Sequence, residues 1–150
     1  MTVDYNNVFL FMKKYRIGYT TGVFDMFHVG HLNILMRAKE QCDYLIVGVT
    51  TDELCYQRKQ KYPIICESDR VSIVKAIRYV DRVVLQKDMN KLLPVKEFGA
   101  DAVFVGSDWK GTAAWNQYEK DFAEVGCKVV YLEHTDGISS SILKDKIQQK

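Results

Sequence analysis

Two histidines, His28 and His31, flank Gly30 in the run Gly22-Val23-Phe24-Asp25-Met26-Phe27-His28-Val29-Gly30-His31. Imidazole N–H groups donate hydrogen bonds to phosphate oxygens whether the ring is neutral or protonated. Gly30, with no side chain, lets a ligand come close to the backbone. The run lies between a strand-like stretch, Ile17 to Val23, and a helix-like stretch, Val29 to Gln41. A helix start exposes free backbone N–H groups and the positive end of the helix dipole, and anions bind there. The chemistry that fits is phosphate binding and charge stabilisation. Two other readings of the pair are capping with local packing, and zinc ligation. The third histidine, His134, is remote in sequence and no H-E-x-x-H is present, so the metal reading has little to build on.

Other chemistry-bearing residues cluster further on. Lys59 and Lys61 lie in a basic stretch, Gln57 to Lys61, followed by Tyr62-Pro63. Arg70 follows Glu67-Ser68-Asp69. An arginine there can grip phosphate with a bidentate fork or pair with Glu67 on a helix surface. Asp108 and Trp109 sit in Gly106–Thr112, and Trp109 suits either a ligand-facing loop or the core. Ser139, two residues after Gly137, offers both a helix N-cap and a second phosphate cradle.

The elements that position these residues alternate along the chain. Strands are read at Ile17–Val23, Tyr44–Val49, Arg82–Leu85, Ala102–Val105 and Lys128–Leu132. Helices are read at Val29–Gln41, Asp69–Ile77 with Ser68 as N-cap, Asn90–Phe98, Trp115–Val125 and Ser140–Gln148. Gly99 and Gly126 close two of them. Thr50 to Ile65 is polar, carries Pro63, and reads mostly as loop, with a short helix opening at Thr51–Leu54. The pattern predicts a single α/β domain, a Rossmann-like, doubly wound, five-stranded parallel sheet. Such sheets bind ligands beyond the carboxyl ends of their strands, where strand order reverses. The loops Thr21–His31, Gly106–Thr112 and His134–Ser141 are expected to converge there. Residues 1–14 fall outside the pattern and read as an appended helix, strand or partner-binding extension; residues 15–150 form the domain.

Composition narrows the class. The chain has 150 residues, 47% of them hydrophobic, which suffices for one sizeable core. Lys plus Arg number 21 against 19 for Asp plus Glu, so no nucleic-acid partner is expected. Four cysteines lack C-x-x-C spacing, which suits a reducing cytoplasm, and Cys42 and Cys127 read as buried thiols after helices. The apolar run Val8–Met12 is too short for a signal-peptide core, and no run reaches the ~20 residues of a membrane span.

Taken together, these motifs resemble the nucleotidyltransferases of the cytidylyltransferase type. Gly-x-Phe-Asp-x-x-His-x-Gly-His resembles that family's signature. Arg70 near a helix start, Ile77-Arg78-Tyr79-Val80-Asp81, Val105-Gly106-Ser107-Asp108-Trp109-Lys110-Gly111 and His134-Thr135-Asp136-Gly137-Ile138-Ser139-Ser140-Ser141 follow in family order. The resemblance implies CTP as nucleotide, Mg²⁺ on its triphosphate, a small phosphorylated acceptor with glycerol 3-phosphate first, and a homodimer. It implies nucleotide binding by Gly22, Val23, Phe24, His28, Gly30, His31, Asp108, Trp109, Thr135, Gly137, Ile138 and Ser139. Catalysis would fall to His28, His31, Lys61 and Arg70, with acceptor binding by Lys59, Arg70 and His134. Phosphocholine, phosphoethanolamine, another polyol phosphate or a phosphonate are alternative acceptors, and adenylyl transfer is the alternative on the same fold. Two positions depart from the pattern: Val23 stands where threonine is usual, and His134 where the signature has arginine.

Overall fold

Continuous apolar stretches bury both faces when they lie inside a parallel sheet. A computed structural model describes residues 13–149, and its five strands form one such sheet. They are β1 (Tyr15–Gly22), β2 (Cys42–Thr50), β3 (Arg82–Gln86), β4 (Ala102–Gly106) and β5 (Lys128–Leu132), in the order β3-β2-β1-β4-β5 and all parallel. Among the described residues, six α-helices make the crossovers and the C-terminal cover: α1 (Val29–Gln41), α2 (Asp52–Lys59), α3 (Glu67–Lys75), α4 (Leu92–Phe98), α5 (Ala113–Ala123) and α6 (Ser140–Gln148). The expected extension falls mostly outside the described residues.

The sheet separates two cores. Leu45, Val47 and Val49 of β2 pack with Leu35, Ala38, Val74 and Phe104 on one side. Ile46 packs with Tyr19, Val95, Val103, Trp115 and Phe122 on the other. Burial at this scale stabilises by about 25 cal/mol per Å² of apolar area removed from water. Cys42 and Cys127 are buried thiols, as their positions suggested.

Three expectations need correction. The stretch after β2 is not mostly loop, since α2 runs eight residues. Thr51 caps it by accepting from the Leu54 amide, Asp52 and Glu53 lie in its first turn, and Arg58 and Lys59 in its last. Its polarity disguised it, because it buries only Leu54 and Cys55. Next, Ser68 does not cap α3; Cys66 holds that position without a side-chain bond. The start is fixed instead by a clasp, in which the Asp52 amide donates to Glu67 Oε1 and the Glu67 amide to Asp52 Oδ2. Finally, α4 begins at Leu92 rather than Asn90, because Asn90 Oδ1 accepts from the Leu92 amide in a local turn.

β1 and β4 set up the site. Their backbone pairing is confined to Gly18↔Ala102 and Tyr19↔Val103. Beyond it the strands part, bridged by Thr20 Oγ1 donating to the Phe104 carbonyl at 2.9 Å. Strand order reverses between these two strands, so the crevice opens at the switch point.

Candidate active site

A cavity of about 270 Å³ fills that crevice. Gly22, Phe24, His28, Gly30 and His31 line it from the β1–α1 turn, Asp108 and Trp109 from the loop after β4, and His134, Thr135, Ile138 and Ser139 from the β5–α6 loop. The three loops converge as the strand order requires. Val23 lines a neighbouring cavity instead, and Gly137 lies outside the lining. Trp109 is 50% exposed at the cavity rim and belongs to no core.

The turn is built to present the two imidazoles. Phe24 and Met26 adopt left-handed backbone (φ 55° and 48°), an uncommon state for non-glycine residues and one that gathers at functional sites. His28 then caps α1: its Nδ1 accepts from the Gly30 amide at 3.0 Å, and His31 Nδ1 accepts from the His28 amide at 3.2 Å. A nitrogen that accepts carries no proton, so both rings are the Nε2–H tautomer. The rings stack at 3.8 Å with 22° between planes. Capping and ligand binding are therefore compatible, because the cap uses Nδ1 and leaves Nε2–H over.

The surroundings of both rings disfavour their charged form. Burial pulls the His28 pKa down, and the neighbouring His134 adds to this. Burial, then the His28 charge, lowers His31 to about 4 against the opposing pull of Asp25. Gly30 serves a purpose other than ligand approach. A Cβ there would lie 2.8 Å from His28 Cε1, so the missing side chain makes room for the ring itself.

The other walls are tied to the same helix. Asn33 Nδ2 donates to Thr135 Oγ1 at 3.0 Å, and Arg37 to the Glu133 carbonyl at 2.7 Å. Ser139 caps α6, its Oγ accepting from the Ile142 amide at 3.1 Å. His134 Nδ1 stands 3.7 Å from Asp108 Oδ2 across the mouth.

Arg70 is placed where neither sequence reading put it. It is 1% exposed and lines neither cavity. Nε donates to the Ile65 carbonyl, one terminal nitrogen to the Val23 and Thr50 carbonyls, and the other to Asp52 Oδ1 at 2.6 Å. Its partner is Asp52 rather than Glu67, and four of its five donors are taken. In this arrangement it braces the turn under the site and presents no open fork to a phosphate. Lys59 and Lys61 line the second cavity, about 230 Å³, together with Val23, Asp25, Ser141 and Lys144.

Lys91 was not singled out by sequence. It is 7% exposed, and its Nζ donates to Thr21 Oγ1 at 2.9 Å, immediately behind the cavity wall. Among the described residues no carboxylate pairs with it, and burial, then Arg58, pulls its pKa to about 8. A lysine in a polar stretch gives no sequence signal of burial. Asp25, 3% exposed, also lacked an assigned role, although it stands inside the motif.

A stacked histidine pair in a cavity at the switch point of a 3-2-1-4-5 sheet now has relatives to be set against. The family model described as cytidylyltransferase-like matches residues 19–146. The glycerol-3-phosphate cytidylyltransferase of Staphylococcus aureus is 38% identical over 132 residues, covering 87% of this chain and 94% of the relative. That of Bacillus subtilis is 39% identical, covering 85% and 94%. A solved lipopolysaccharide core biosynthesis protein from Thermoplasma volcanium superposes with a TM-score of 0.67 at 27% identity, covering 81% of this chain and 97% of that one. Fold, motif order and likeness across nearly the whole length agree: the chain belongs to the cytidylyltransferase-like family.

Proposed function

We propose that this protein transfers CMP from CTP to a small phosphorylated acceptor, glycerol 3-phosphate first, releasing pyrophosphate. The observation that carries the reading is the pair of neutral imidazoles whose free Nε2–H groups remain for a ligand in the switch-point cavity. An oxygen of the acceptor phosphate attacks the α-phosphorus of CTP in line, the bond to the bridging oxygen breaks, and pyrophosphate leaves with the electron pair. A phosphate monoester is already ionised near neutral pH, so no general base is needed. Catalysis is positioning together with stabilisation of charge on the transferring group.

His28 and His31 donate to the phosphate oxygens from the α1 side. Lys61, with Lys59, approaches from the connector between α2 and α3. Asp108 and Trp109 frame the base. Lys91, bonded to Thr21 behind the cavity wall, adds positive charge near the end of β1; His134 faces the acceptor from the mouth, beside Asp108. Arg70 acts in this reading only by holding the turn.

Mg²⁺ would enter on the nucleotide, since it is commonly held by substrate phosphates and water. Among the described residues no group of three His, Cys, Asp or Glu side chains gathers to form a resident site, and no step is routed through the ion. The four cysteines are free, in keeping with a reducing cytoplasmic setting. No helix among the described residues is long and apolar enough to cross a membrane. Exposed Leu85 on edge strand β3 and Leu93 on α4 offer a homodimer an apolar face, which sedimentation would read.

A pyrophosphate-release screen with CTP or ATP against glycerol 3-phosphate, phosphocholine, phosphoethanolamine, polyol phosphates and a phosphonate tests the reading. Turnover with CTP and glycerol 3-phosphate is expected. Turnover with ATP alone overturns the donor, and turnover with CTP and a different acceptor overturns the acceptor.

A further inference from the structure

Asp25 ties two segments together by hydrogen bonds and charge. Its Oδ2 and Oδ1 accept from the Ile64 and Ile65 amides, each at 2.9 Å. Its Oδ2 also pairs with Lys144 Nζ at 3.1 Å, and its backbone carbonyl accepts from Ser140 Oγ at 2.6 Å. One side therefore holds the α2–α3 connector, and the other holds α6. Burial pushes the carboxyl pKa up, but the Ile65 and Ile64 amides and Lys144 outweigh it and keep the group ionised.

The tie to α6 matters because that helix has little else. None of its residues is fully buried, so no inserted apolar side chain fixes it to the sheet. Yet its first turn carries Ser139 and Ser140 at the first cavity, and Ser140 and Ser141 at the second. The second cavity is bounded by Lys59 and Lys61 on the connector and by Ser141 and Lys144 on α6, with Asp25 between them. Whatever sets the spacing between connector and α6 sets the width of this lysine-rich gap.

We propose that the Lys144–Asp25 pair is a latch that positions the first turn of α6 and the connector's lysines for the nucleotide's phosphates. Lys144 is a positioning residue in this account and acts through Asp25. The inference rests on the proposed CTP-dependent transfer. Loss of the latch leaves the histidine pair intact but lets the two walls of the gap drift apart. Nucleotide binding then weakens most, while the transfer step, in which Lys61 also takes part, falls less.

Steady-state pyrophosphate release is measured for the wild type, Lys144→Met and Lys144→Arg, together with hydrogen exchange across 60–66 and 139–148. Lys144→Met is expected to raise the KM for CTP about tenfold, with kcat changed less than about threefold, a size usual for coupled contacts within one network. Lys144→Arg is expected to restore KM to within about twofold, since it keeps the charge. Exchange is expected to quicken in both segments of Lys144→Met. An unchanged KM, or quickened exchange in α6 alone, overturns the latch. A loss of kcat at unchanged KM overturns it too, because Lys144 would then be touching the reacting phosphates. If the wild type turns over no CTP, the functional reading fails, and the exchange experiment still decides the latch.

Discussion

His28 with His31, and Arg70, lie on opposite sides of one turn, and from sequence all three read as phosphate ligands. The structure uses them in opposite ways. Each imidazole gives its Nδ1 to a backbone amide and keeps its Nε2–H free, whereas Arg70 commits four donors to Ile65, Val23, Thr50 and Asp52. The histidines are held in place by what they accept, and the arginine holds others by what it donates. A group's capacity to bind substrate is therefore set by which of its donors the fold leaves unused. Residue type alone does not fix it.

The largest expected effect breaks the arginine side. Arg70→Met strands three carbonyls and the Asp52 carboxylate, and breaking a buried charged network of this kind costs about 3–5 kcal/mol. Thermal unfolding is expected to shift down by roughly 10 °C, at a few degrees per kcal/mol for a chain of this size. Unchanged stability with lost turnover would make Arg70 a ligand and erase the contrast. On the histidine side, His28→Ala or His31→Ala is expected to lower kcat by about 10²–10³, the usual effect of removing one charge-stabilising donor. Full turnover in both would remove the proposed role.

Gly30→Ala sharpens the comparison without touching a functional group. The added methyl would sit 2.8 Å from His28 Cε1, so the ring must turn away. A fall in kcat of about tenfold to a hundredfold is expected, from misplacement alone. The smallest effect is on pH. Unfolded His31 takes up a proton near its ordinary 6.5, and the folded ring not until about 4. Between those values the unfolded chain binds more protons, so stability falls as pH falls and levels off below the folded value. The contribution is on the order of 2 kcal/mol once discounted for partial exposure, read as the difference in denaturant midpoint between wild type and His31→Asn across that window.

The alternation of strands and helices was legible because buried parallel strands are continuous apolar runs, as Leu45–Val49 within the run Tyr44–Val49 shows. The convergence of three loops followed from strand order. Local polarity hid α2, whose stability comes from capping and charge placement more than from an apolar face. Arg70 could not be read correctly, because three of its acceptors are backbone carbonyls brought in by tertiary folding. Lys91 was invisible for the same reason: its burial depends on Thr21 and Trp115, 70 residues upstream and 24 downstream. The tautomers of His28 and His31 likewise needed the cap geometry.

The central claim is that the histidine pair meets the nucleotide as neutral Nε2–H donors fixed before it arrives. Long-range ¹H–¹⁵N NMR of the imidazoles at neutral pH tests it directly, with His134→Asn to assign the third ring. The account predicts protonated Nε2 and bare Nδ1 in both His28 and His31 of the free protein, with both Nε2–H signals shifting on addition of CTP. Nδ1–H tautomers or imidazolium rings in the free protein, or Nε2–H signals indifferent to CTP, would contradict it.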